Sequence, residues 1–188
     1  NGSTNFIFRR CKVFNSINWA VVFLNSTQLE ISNNVILGNY STYLNNDGIV
    51  VRNGTFIRVR DNYVDTGFSN GTSSDDAIVV GADSTASYAT TEHVEITGNF
   101  VRSSLQTGIK IIMQVVALND FNIHDNEIWY AYVGGIAVQK FDNGEEIATN
   151  INIHDNKIEG WGRSTGSFDN AIVANYSGSG AGTLFRNL

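Results

Sequence analysis

Phe121-Asn122-Ile123-His124-Asp125-Asn126 returns almost unchanged as Ile151-Asn152-Ile153-His154-Asp155-Asn156, and this pair decides the fold. Its pattern is apolar-x-apolar-x-x-Asn. Working outward, the pattern occurs again at Leu29 to Asn34, Ile57 to Asn62 and Val94 to Asn99, and an earlier copy, Phe6 to Cys11, puts Cys where the others put Asn. A second motif interleaves with the first, a small residue followed by alternating aliphatics, starting at Ala20, Gly48, Ala77, Gly108, Gly135 and Ala171. Successive starts differ by about 28, 29, 31, 27 and 36 residues, the period of a solenoid with short strands and variable loops in every turn. Two motifs keeping one register predict an all-β chain, a single-stranded right-handed parallel β-helix of about six coils, occupying 1–188 as one domain and cut from a longer solenoid.

The pattern also predicts where side chains go. Period-two alternation puts Ile31, Val59, Ile96, Ile123 and Ile153 in one inward column, because successive strand residues face opposite sides. Outward, Glu30, Arg58 and Glu95 stack with alternating charge. Asn34, Asn62, Asn99, Asn126 and Asn156 read as an asparagine ladder, each amide satisfying turn backbone groups of neighbouring coils. The opening strand and the Gly/Ser-rich run Ser177 to Thr183 carry no polar caps. Flanking coils, a partner coil or a homo-oligomer are expected to cover such solenoid ends.

Composition narrows the function. The chain has 188 residues, 42% hydrophobic, abundant Asn, 18 Gly and no Pro, which suits many tight turns without long helices. A net charge of −6 built from scattered charges argues against nucleic acid as a partner, since neutralising phosphates takes clustered Lys and Arg. No apolar run is long enough for a membrane span and no signal peptide opens the chain. Cys11 is the lone cysteine, so no internal disulfide forms. Six Asn-x-Ser/Thr sequons, at Asn1, Asn25, Asn39, Asn53, Asn70 and Asn175, are permissive of an extracellular protein.

The residues just before the second motif form a column of Trp19, Asp47, Asp76, Thr107, Gly134 and Asn170, and the column one place earlier contains Asp75. Adjacent coils thus bring Asp47, Asp75 and Asp76 to one spot on the surface of the solenoid. Carboxylates so close repel when ionised, and at least one pKa should rise. The bland reading of the same residues is equally physical: Asp before a strand and Asp-Gly are favoured turn chemistry.

Asn45-Asn46-Asp47-Gly48, followed one coil later by Asp75-Asp76-Ala77-Ile78, resembles the paired signatures of polygalacturonases and dextranases in the pectin-lyase-like β-helix superfamily. Trp19 sits where these hydrolases often carry Trp. The resemblance implies inverting hydrolysis of a glycosidic bond in a polysaccharide, with no cofactor and no metal. Asp75 would protonate the leaving oxygen, and Asp47 and Asp76 would activate the attacking water. Thr107 and Lys110 on the following coil would contact substrate. Where polygalacturonases carry Gly-His-Gly and then Arg-Ile-Lys, this chain has Gln106-Thr107-Gly108 and Ala137-Val138-Gln139, so a neutral or differently charged glycan is expected in place of galacturonan.

Trp129, Tyr130, Tyr132 and Trp161 follow the Asn ladder and form either a sugar-stacking strip or a packed turn stack. Trp129 and Tyr130 are the substrate-binding candidates among them. His124 and His154 share an outward column and read as a surface ladder before a metal site. Two function classes stand. One is a secreted or virion-borne glycoside hydrolase; the other is a non-catalytic β-helix, such as a tail-spike shaft or adhesin, on an extracellular or virion surface. A polysaccharide lyase ranks below both, because no Arg or Lys pairs evidently with the acids to serve as base.

Overall fold

Every regular element among the described residues is a β-strand, and every pairing between strands is parallel. The computed structural model describes residues 4–14, 16, 19–37, 47–66, 76–82, 91–104, 106–113, 118–140, 148–160, 170–176 and 185–186. The strands wind into a β-helix with three faces. The first face runs through the opening halves of Val21–Ser32 and Ile49–Arg60, then Ile78–Gly81, Thr107–Met113, Gly134–Lys140 and Asn170–Tyr176. The second runs through Thr4–Arg9, the closing halves of the two long strands, then Thr91–Thr97, Leu118–His124 and Ala148–His154. The third is a separate six-stranded sheet of short strands, from Lys12–Phe14 to Lys157–Glu159, one to a coil.

The two motifs fall where the repeat places them. Val21, Ile49, Ile78, Ile109, Ile136 and Ile172 are in register along the first face. On the second face Phe6, Leu29, Ile57, Val94, Phe121 and Ile151 are in register. Ile31, Val59, Ile96 and Ile123 are fully buried, and Ile153 packs against the same core. Burying each such side chain contributes roughly 2 kcal/mol before chain entropy is charged against it. The small residue that opens the second motif has a steric cause: a Cβ on Gly48 would lie 2.6 Å from the Ala77 carbonyl oxygen and 2.7 Å from Val64 Cγ1. At that corner the first face turns inward against the third.

The other corners rest on left-handed backbone. Asn33, Asp61, Gly98, Asp125 and Asp155 all have positive φ and each immediately precedes a ladder asparagine. Asn, Asp and Gly tolerate that region best. The ladder itself is continuous. Asn62 Oδ1 accepts from Asn34 N and Nδ2 at 3.1 and 2.9 Å, and Asn99 and Asn126 Oδ1 repeat the pair of contacts for the coil before them. Each Nδ2 also donates to a carbonyl of the preceding coil, Ile31 for Asn62 and Val59 for Asn99. Cys11, in the ladder position of its coil, donates its backbone N–H to Asn34 Oδ1 at 3.0 Å.

Candidate functional site

The site begins with register. Ala20, Gly48 and Ala77 donate backbone N–H to the carbonyls of Asp47, Asp76 and Thr107, so Trp19, Asp47, Asp76 and Thr107 occupy successive rungs of one column. The two carboxylates do the work of amides in a ladder. Asp47 Oδ1 accepts the Asp76 backbone N–H at 2.9 Å, and Asp76 Oδ1 accepts the Thr107 N–H at 2.9 Å. Asp76 Oδ2 then meets Lys110 Nζ at 2.8 Å in a buried ion pair. Lys110 reaches it from the outward-facing column that also holds Val50 and Val79.

Burial separates the two acids from the surface position expected of them: Asp47 is 6% exposed and Asp76 3%. Their strands' outward column is also covered, since Val50, Val79 and Ile112 form a second buried apolar cluster with Val22 packed on it. Strand alternation alone assigns that column to solvent, and so misplaces the carboxyl groups beside it. The consequence is electrostatic. Burial, and after it the Asp76 carboxylate, pushes the Asp47 carboxyl up to about 7, against the pull of the Asp76 N–H, Lys110 and Arg52. The rise expected from clustered acids is present, but its first cause is desolvation.

Of the other candidates, Asp75, Asn45, Asn46 and Trp161 lie outside the described residues. Thr107 is buried and enters the site through its backbone N–H. Lys110, out of pattern in the sequence, is the cation that completes the pair. This corrects the ground on which a lyase ranked low: a lysine does adjoin the acids, engaged as an ion-pair donor to Asp76. Trp19 is 41% exposed on the coil before Asp47.

Trp129 and Tyr130 are elsewhere, at the third face. Tyr63 stacks on Phe100 with ring centroids 5.5 Å apart, and Phe100 meets Trp129 edge-on at 5.3 Å. Lys157 Nζ lies 5.5 Å from the Trp129 ring centroid, and Tyr130 sits edge-on to Trp129, 44% exposed. The aromatic row is therefore a stack along the solenoid axis with one side open. His124 and His154 stack in parallel at 5.0 Å, each bonded to the aspartate that follows it. That is the expected surface ladder, and among the described residues no group of three or more His, Cys, Asp or Glu is placed to hold a metal ion.

A feature with no sequence motif lies on the second face. Asn5, Gln28, Phe56, His93, Asp120 and Asn150 form another left-handed column. Phe56 and His93 stack at 4.7 Å and 13°, beside a cavity of about 600 Å³. Residue type varies at every rung of this column, so only coordinates reveal it. No protein-family model, curated protein or solved structure matches the chain.

Proposed function

We propose that the chain is a polysaccharide-acting glycoside hydrolase of the polygalacturonase and dextranase type, inverting, with its chemistry at Asp47, Asp76 and Asp75. The observation that carries the reading is the inequality of two neighbouring carboxyl groups. Asp47 is pushed up to about 7 by burial, while Asp76 is held against Lys110 at 2.8 Å. Neighbouring acids in surroundings this different are the usual ground for divided acid and base roles.

In this reading Asp47 is the base, its affinity for a proton matched to neutral pH, where a general base works best. Its low exposure suits a reactant no larger than water. Asp76, bonded to Lys110 Nζ and the Thr107 N–H, orients that water. Asp75, the adjacent acid in the chain, protonates the leaving oxygen, as the resemblance implies. Trp129 and Tyr130 would hold a more distant stretch of glycan, and an extracellular or virion setting fits such a substrate.

A second reading has its own observation. Each carboxylate accepts the backbone N–H of the next coil, so the pair also serves a non-catalytic shaft that only displays its surface. Reducing-end release from a panel of neutral and uronic glycans separates the two. The hydrolase cleaves at least one glycan, and Asp47→Asn and Asp75→Asn each lower turnover by about 10²- to 10⁴-fold with the fold intact by circular dichroism. Its rate rises with pH through about 7 as Asp47 loses its proton. Cleavage of nothing in the panel, or full activity in both variants, refutes the hydrolase.

A further inference from the structure

The cavity on the second face lies among side chains that the Asp47 and Asp76 site does not use. Phe56 is 53% exposed although it belongs to a strand, because its left-handed φ of 56° turns the ring out of the core-facing alternation. One rung on, His93 at φ 54° does the same, and the two rings lie nearly parallel at 4.7 Å. Asp120, on the next rung, holds His93 Nδ1 at 2.6 Å and fixes the imidazole plane. The cavity of about 600 Å³ beside them is lined by this column and by the neighbouring outward column of Glu30, Arg58, Glu95 and Asn122. A few hundred cubic ångströms bounded by an aromatic platform and convergent polar groups is the usual form of a small-ligand site.

The groove offers little to an anion. Its lining sets Glu30, Glu95 and Asp120 against Arg58; Arg58 Nε meets Glu95 Oε2 at 3.4 Å, Glu30 meets Arg60 at 2.9 Å, and Asp120 Oδ2 lies 2.6 Å from His93 Nδ1. Carboxylates outnumber arginines there, which disfavours an acidic chain, while hydroxyl-bonding groups remain at every rung. The groove also runs along the solenoid axis, where each rung advances by about 4.8 Å, close to the length of one sugar unit in an extended chain.

We infer that the second face carries a binding groove for an extended neutral glycan, which packs a pyranose ring against the Phe56–His93 stack and runs across successive coils. This is independent of the hydrolase reading, since the groove and the Asp47 column are on different faces. A shaft protein with this groove would still bind glycan.

Cellohexaose titrated calorimetrically into the whole chain is the probe, with hexagalacturonate as the charged comparison. Phe56→Asn removes the ring but keeps a residue at ease in left-handed backbone, so the fold survives. Saturable cellohexaose binding is expected, weakened by about fivefold to tenfold in Phe56→Asn, the worth of one ring stack. Leu24→Ser, at an exposed apolar position of the first face, is expected to bind as the native chain does. Absence of saturable cellohexaose binding, equal binding by Phe56→Asn, or tighter binding of hexagalacturonate overturns the inference.

Discussion

Asp47 is held in a position where burial favours its neutral form. The sign follows from the shift. A carboxyl whose folded pKa is raised binds its proton more tightly in the folded chain than in the unfolded, so folding stability falls as pH climbs from the unfolded value near 4 to about 7 and is level above that. Asn in its place keeps the oxygen that accepts the Asp76 N–H and carries no charge. Asp47→Asn is therefore expected to be stabilising at pH 8, by about 1–3 kcal/mol, and close to neutral at pH 4, read from urea unfolding. Destabilisation at pH 8 would show that the carboxylate is better solvated than its surroundings suggest. Asp76→Asn goes the other way. It takes a buried partner from Lys110, which costs about 3 kcal/mol, and Lys110→Met in the same chain should recover most of the loss. The presence of these acids in one column was plain from Asp47, Asp76 and Thr107 in the repeat. Their burial was not, because it depends on what covers Val50 and Val79 from outside, and strand alternation carries no information about that.

At the level of the element, the asparagine ladder joins each turn to the next. Asn99 is 1% exposed, accepts from Asn62 N and Nδ2, and donates to Val59, Thr97 and Asn126. Asn99→Ala leaves those buried groups without their partners, at about 3 kcal/mol or more. Asn156, later in the ladder and partly exposed, leaves groups that water can reach, and Asn156→Ala should cost less than half as much. Equal losses in the two, measured by urea unfolding, would mean that the ladder does not depend on burial. This element was open to sequence reading because the same chemistry is needed at every coil, so Asn62, Asn99 and Asn126 recur in one place. The left-handed column of Phe56, His93 and Asp120 was closed to it for the opposite reason. That position needs only a backbone angle, and Gln, Phe, His, Asp and Asn all supply it here.

The whole molecule divides its tasks by face. The interior, built from isoleucine and valine columns, holds the coils in register; the first face buries an acid pair with a lysine, the second carries an open groove, and the third an aromatic row. The parallel solenoid and its register were readable because two unrelated motifs repeat with one period. The division among faces was not, since it arises from which outward columns become covered and which stay open. All of the proposed chemistry rests on neighbouring coils burying Asp47 against Asp76. The most direct test needs no substrate: the carboxyl ¹³C resonance of Asp47, assigned by its loss in Asp47→Asn, followed by NMR as pH is varied. A titration midpoint near 7 is expected; a midpoint near 4, the value of a solvated aspartate, would contradict the account.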